Sequence, residues 1–475
     1  MEESVTAIFD IGKTNKKFFL FDHQYDIVYK KEKKIDQVED DDGYPSDDLK
    51  AIVGWAKEIL KDALKMDQYA IEAVNFSAYG ATLVHIDSNG EVATPLYNYL
   101  KPYPEELLKN FYDKYGGREQ FSVETASPPM GMLNSGLQLY WLKNEKPELF
   151  KKIRKTLHFP QFFNYIFTGE FNTELTSIGC HTGMWHFGKK EYHRWVEEEE
   201  IKSLDIEIKS VSDQNKSVFA SNELNFGIGI HDSSASLAPF LLSLSEPFVL
   251  LSTGTWSIAL NPFSKDPLTY DELKRDCLCF MNISGDKVKA ARLFLGNEYD
   301  YQKEKIKKIF DIQNINNIKP NSSLLQNLIN EQSGSKKLRL ETVGNSGPYP
   351  GNSEEPWNPG LFQTNKEAYH QLLLDLVSIQ VDSLNLAIGS TPISQIVVTG
   401  GFSKNPLFLK LLATFFPDKD IYSASLSQAS ALGACMVTNY NNPSYNFDLE
   451  KMSDMKRMTP FSNLDISEYK WAEYK

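Results

Sequence analysis

The chain has 475 residues, 41% hydrophobic and 24% charged, with a formal net charge of -13. That length allows roughly two to four domains with sizeable cores, and the acidic balance argues against a nucleic-acid partner, which needs concentrated Lys and Arg. No run of about eighteen apolar residues suggests a membrane span, Met1-Glu2-Glu3-Ser4 lacks the basic start of a secretory signal, and Cys180, Cys277, Cys279 and Cys435 are too scattered for a disulfide framework, so the expected setting is a cytoplasmic monomer or homodimer with reduced, buried thiols.

Residues 7–11 and 18–21 are apolar runs of strand length, joined through Gly12-Lys13-Thr14-Asn15. The backbone at Gly12, the hydroxyl of Thr14 and the amide of Asn15 can face an anion. Asp10, at the strand end, suits the Mg²⁺ that accompanies ATP, held through water, while Lys16 and Lys17 supply compensating charge. A P-loop is rejected: Ala7 stands where the glycine five positions before Gly12 is needed, and an extended run follows Thr14 instead of a helix. Taken alone, the segment is an ordinary β-hairpin with a lysine-rich turn.

Residues 26–33 predict a third strand, with Lys30, Lys31, Lys33 and Lys34 on a solvated edge. Ser46 is the expected N-cap of a helix to about residue 66 carrying Leu49, Val53, Ile59 and Leu64. A short buried strand over 73–77 leads to the turn Ala78-Tyr79-Gly80-Ala81 and a strand ending at Asp87. Ser77, Tyr79 and Thr82 are candidate substrate contacts at this turn, with turn and packing chemistry as the alternative. Residues 101–149 read as an aromatic-rich helical cap broken by Ser127-Pro128-Pro129. Glu197 to Glu200 predict an exposed helix face. The spacings of Cys180, His181, His186 and His193 do not resemble compact zinc-ligand pairs.

Gly227-Ile228-Gly229-Ile230-His231-Asp232 places an acid before a small-residue helix, as a helix cap or as a base for a sugar hydroxyl. The opening pattern then recurs: a strand over 248–251, the turn Ser252-Thr253-Gly254-Thr255, and a strand over 256–260. This weak repeat predicts domains over 1–243 and 244–475 with a ligand cleft between them. A variable helical excursion over 303–337 and a long loop over 344–359 lead to a helix over 366–388. The strand over 396–399 ends at Gly400-Gly401, with a helix from Pro406. The glycines let a flat adenine approach the backbone and Asn405 offers an amide, although strand-to-helix turns of this kind are common.

Together these motifs, with Ala429-Ser430-Ala431-Leu432-Gly433-Ala434, resemble the FGGY family of carbohydrate kinases in order and over nearly the whole chain. The resemblance implies an α/β fold of two ribonuclease-H-like (actin-like ATPase) domains with an interdomain cleft that binds ATP, Mg²⁺ and a small sugar or polyol. It implies Asp232 as catalytic base and substrate contact, and Asp10 as the magnesium-associated acid. Gly12, Thr14, Asn15 and Lys17 match the first phosphate contacts, Thr253, Gly254 and Thr255 the second, and Gly400, Gly401 and Asn405 the adenosine segment.

Departures concern the sugar. Tyr97-Asn98-Tyr99-Leu100-Lys101 stands where the family often has Trp-x-Asp-x-Arg, Gln138 replaces a lysine, and Lys17 replaces an arginine. The leading expectation is an ATP-dependent kinase for a small ketose or polyol such as rhamnulose, fuculose or xylulose. A nucleotide-switched binding protein and a catalytically weak sugar sensor are the alternatives.

Overall fold

The computed structural model describes residues 2–315, 317–331, 334–344, 352–466 and 469–471. The middle of the loop expected over 344–359 lies outside these. The chain divides into two compact units, each built on a sheet.

The first unit comprises Met1–Ser243, Cys279–Lys287 and Gln428–Asp448. A boundary at 243/244 thus leaves out two segments of the second half that pack back on the first. No local pattern marks them, because their partners are distant in sequence.

Strands β1 (Glu3–Ile11), β2 (Asn15–Phe21) and β3 (Ile27–Lys34) form an antiparallel meander with the lysine-rich β3 at its edge. Helix α1 (Leu49–Ala63) buries Ile52, Trp55, Ala56, Ile59, Leu60 and Ala63, one apolar stripe at helical spacing. Its cap is Asp48, which accepts from the Ala51 amide at 2.8 Å, and not Ser46, whose hydroxyl donates to the Leu96 carbonyl. Strand β4 (Tyr69–Ala78) is longer than expected because it pairs in parallel with β1 along its whole length. Phe9 at the centre of the sheet packs 4.9 Å from Phe18 and 5.4 Å from Phe76, ring centroid to centroid.

The helices Glu105–Lys114, Gly117–Glu124 and Gly136–Glu145 form the expected helical excursion. Glu199 departs from its expected exposure: it is buried and accepts from Lys114, Lys143 and Tyr115. Helix α2 (Phe159–Thr168) follows, then β5 (Gln214–Phe219), β6 (Asn222–Gly227), β7 (Ile230–His231) and helix α3 (Asp232–Ser243). The sheet order is β5-β6-β4-β1-β2-β3, and β7 extends β4 in parallel at Ser77 and Ala78.

In the second unit, β8 (Phe248–Thr253), β9 (Ser257–Asn261) and β10 (Lys287–Leu293) repeat the antiparallel meander. Helices α4 (Leu295–Phe310) and α5 (Asn365–Ile388), strand β11 (Gln395–Gly400), helix α6 (Pro406–Phe415), and strands β12 (Asp420–Ser423) and β13 (Lys456–Met458) complete the core elements. The order β10-β9-β8-β11-β12-β13 has the same sequence of strand senses as the first sheet: a meander, two parallel additions and an antiparallel edge. The repeat inferred from the two hairpins therefore extends over six strands of each sheet; in the second, Cys277–Met281 adds a further edge strand beside β10.

Helix α5 is long and apolar enough to cross a membrane by length and composition, which the sequence reading did not anticipate; 78% of its apolar window is buried inside the protein. All four cysteines are buried and none is paired in a disulfide, as expected.

Candidate active site

In the first unit, Asp10 ends the buried part of β1. Lys17 lies opposite it in the antiparallel register, with Nζ 3.6 Å from its carboxylate. The Ser430 hydroxyl donates to Asp10 Oδ1 at 3.1 Å, and Lys17 donates to Gln428 Oε1 at 3.0 Å, so the returning segment holds both charged groups of the hairpin. Burial pushes the Asp10 carboxyl up; Lys17 opposes this, and the negative charge of Asp232 adds to it.

Gly12 closes the turn by donating its amide to the Asn15 carbonyl at 3.0 Å, and Thr14 is exposed. Lys16 does not join Lys17. It points inward, almost fully buried, and donates to the Lys13 carbonyl at 3.0 Å. Strand alternation requires this, since Lys16 and Phe18 share the face opposite Lys17. Lys13 instead supplies the second cation, 2.8 Å from Asp47.

Asp232 begins α3, with His231 Nε2 3.3 Å from its Oδ1 and the Ser233 hydroxyl at 3.3 Å from the same oxygen. The side chain keeps 33% of its surface open, yet desolvation in its recess pushes the carboxyl up to about 6. A carboxyl so poised is mostly ionised at neutral pH yet more ready to take up a proton than an ordinary aspartate, which suits general-base chemistry. Helix α3 can lie where it does because Gly433 has no side chain: a Cβ there would collide with the Ala235 carbonyl.

Of the expected substrate contacts, Ser77 is level with Asp10 across the β1–β4 pair but fully buried, with its hydroxyl unpartnered. Tyr79 is buried with its phenol bonded to Asp47, and Thr82 is buried. None of the three is open to a ligand in this conformation. Gly80 in this turn has no room for a side chain, since a Cβ there would meet Cys180 Sγ and the His231 ring. Tyr99, not anticipated from sequence, is half-buried; its phenol is pushed up by burial and then by the charges of Asp47 and Asp232. Lys13 lies 5.0 Å above its ring. The Tyr97 hydroxyl and Lys101 turn to Asp41 and to Asp40 and Asp42, respectively.

In the second unit, a pocket of about 450 Å³ is lined by Gly254, Gly296, Tyr299, Gly401 and Asn405. Thr253 is not open to a ligand: its hydroxyl donates to the Thr399 carbonyl and accepts from the Phe402 amide at 3.0 Å. Thr255 and Gly254 form the exposed tip of the turn. Gly400, at φ +79°, serves backbone packing, because a Cβ there would strike the Thr253 carbonyl; Gly401 is the glycine at the pocket. Asn405 caps α6, accepting from the Leu407 and Phe408 amides, and donates to the Tyr369 hydroxyl at 3.0 Å. Its amide therefore shapes the pocket wall.

The N-terminal-domain model of the FGGY family of carbohydrate kinases matches residues 5–219, and the carbohydrate kinase FGGY C-terminal-domain model matches 245–445. The chain belongs to the FGGY family of carbohydrate kinases. A rhamnulokinase of Halalkalibacterium halodurans is 25% identical over 170 residues, 35% of this chain and 33% of that enzyme. Solved structures share the fold: a carbohydrate kinase from Novosphingobium aromaticivorans (TM-score 0.79, 22% identity, 97% of this chain and 95% of that one) and a ligand-bound xylulose kinase from Lactobacillus acidophilus (0.75, 17%, 96% and 94%). A glycerol kinase of Plasmodium falciparum with ADP superposes at TM-score 0.75 with 16% identity, covering 98% of this chain and 95% of that one.

Within this FGGY chain, the two hairpin turns and the glycine turn after β11 all sit at strand ends, and each is shaped by backbone hydrogen bonds.

Proposed function

We propose that this protein is an ATP-dependent kinase that transfers the γ-phosphoryl group of MgATP to a hydroxyl of a small ketose or polyol, of the rhamnulose, fuculose or xylulose type. The observation that carries this reading is Asp232: a partly open carboxylate pushed up to about 6. It takes the proton of the acceptor hydroxyl as that oxygen bonds to phosphorus and the bond from phosphorus to ADP breaks.

Lys17 and the hairpin residues Gly12, Thr14 and Asn15 hold phosphate oxygens, as do Gly254 and Thr255. Thr253 supports its turn. The pocket bounded by Gly401 and Asn405 takes adenosine, with Gly400 fixing its backbone. Asp10 suits a magnesium ion that keeps most of its water, because that ion needs only one or two carboxylates besides phosphate. Bound there, the ion would neutralise phosphate charge. Ser77, Tyr79 and Thr82 frame the sugar side from behind, by packing.

The test is ADP release from MgATP across L-rhamnulose, L-fuculose, D-xylulose, pentitols and glycerol. At least one acceptor should stimulate it, and Asp232→Asn should lower turnover roughly a hundredfold or more while ATP binding persists. Near-normal turnover by that variant removes the assigned role. The engagement of Lys101 with Asp40 and Asp42 favours one second reading, a sugar sensor, for which sugar binding without phosphate transfer is the signature.

A further inference from the structure

His231 has a second set of contacts besides Asp232. Its Nδ1 lies 3.3 Å from the Ser234 hydroxyl, one turn along α3, and its Nε2 lies 3.1 Å from Cys180 Sγ. The Ser234 hydroxyl donates to the Met281 carbonyl at 2.7 Å. A serine has one proton to donate and a carbonyl can only accept, so toward Nδ1 the Ser234 oxygen is an acceptor. Nδ1 must then carry the ring's hydrogen. Burial holds the imidazole neutral, with its pKa lowered to about 4, so Nε2 presents a bare lone pair.

A bare nitrogen beside an ionised carboxylate gains nothing; beside a protonated one it accepts a hydrogen bond. Building on the kinase reading, we propose that Ser234 is a positioning residue that locks His231 as the Nδ1–H tautomer, so that Nε2 accepts a hydrogen bond from Asp232 once Asp232 has taken the proton of the acceptor hydroxyl. The proton leaves the sugar oxygen, forms a covalent bond with an Asp232 oxygen and stays there, since the buried imidazole is the weaker base. Before that step Nε2 accepts from the Cys180 thiol. The lock makes Asp232 a stronger base by stabilising its protonated form.

The other titratable groups facing this pair are Asp10 on β1, Tyr99, His158 before α2, and Cys180 and His181 after the short helix Leu175–Ile178. None of them donates to His231 Nδ1, which is what Ser234 controls.

The experiment is long-range ¹H–¹⁵N correlation on the full chain labelled with ¹⁵N-histidine, at pH 8, with His231 assigned by His231→Gln. The expected spectrum has a protonated Nδ1 and an unprotonated Nε2, a population mixed by Ser234→Ala and kept by Ser234→Thr. In ADP-release assays, Ser234→Ala should lower kcat about tenfold and move the acid limb of the pH profile down by about half a unit or more, with KM for ATP unchanged. A protonated Nε2 in the unaltered protein overturns the proposal, as does an unmoved acid limb when the tautomer has shifted. If Ser234→Ala does not fold, the unaltered protein's spectrum alone decides the tautomer. Failure of every sugar and polyol to stimulate the unaltered protein would overturn the kinase reading and the proton-holding step with it, while the spectrum still judges the tautomer lock.

Discussion

The Ser430 hydroxyl donates to Asp10 Oδ1 across 3.1 Å, joining the first strand of the chain to a helix near its other end. This bond holds the Asp10 carboxyl down against the upward push of burial. Removing it leaves Asp10 neutral at a higher pH, and a neutral acid is a poor magnesium ligand. On the proposed magnesium role of Asp10, Ser430→Ala should therefore raise KM for MgATP several-fold, with the effect growing as pH falls. An effect that does not change with pH would separate the bond from Asp10 ionisation.

The pH profile follows from Asp232. If Asp232 is the base, as proposed, it must be ionised, and with its carboxyl at about 6, kcat/KM should fall about tenfold per unit below that pH. For stability the sign runs the other way. The folded carboxyl keeps its proton above the ordinary value of 3.8, so ionisation costs the folded state as pH rises from about 4 to 6. Asp232→Asn escapes that cost and should gain in Tm relative to the unaltered protein between pH 4 and pH 7, a comparison thermal melts at both values make directly.

Lys101 sits buried between Asp40 and Asp42. Lys101→Met should destabilise the protein by about 3 kcal/mol, because it leaves the Asp40 charge buried without its cation. Adding Asp40→Asn should recover part of the loss in urea unfolding. ADP affinity should stay unchanged in both variants.

At Gly433 an added methyl meets the Ala235 carbonyl, a backbone atom that cannot rotate away. Gly433→Ala should cost about 1–3 kcal/mol and displace the helix that begins at Asp232. Activity should fall more than stability alone predicts, measured well below the Tm.

Asn405→Ala removes both the cap of α6 and the bond to Tyr369. About 1 kcal/mol of stability should go with the cap. ADP binding by calorimetry should weaken several-fold, while the pH profile stays in place.

The strands, the hairpin echo and the strand-to-helix turn at Gly400-Gly401 were legible because apolar alternation and glycine placement are local signals. Glu199 in its acidic run looks solvated until Lys114 and Lys143, far away in sequence, are brought to it. Lys16 is a different case: strand alternation turns it inward, where it bonds to the nearby Lys13 carbonyl. Along the expected adenosine segment, Gly400 and Thr253 support one another's backbone, and Gly401 lines the pocket. The turn expected to meet the substrate was the least legible, because the burial of Ser77, Tyr79 and Thr82 depends on residues distant in sequence, such as Asp47 and Phe159 around Tyr79.

The first unit includes Gln428–Asp448. During synthesis from the N-terminus, Ser430 and Gln428 leave the ribosome 420 and 411 residues after Asp10 and Lys17, respectively. The hairpin can form its own Asp10–Lys17 pair early, but it gains the two polar bonds from the returning segment only much later, so a part translated early is finished late.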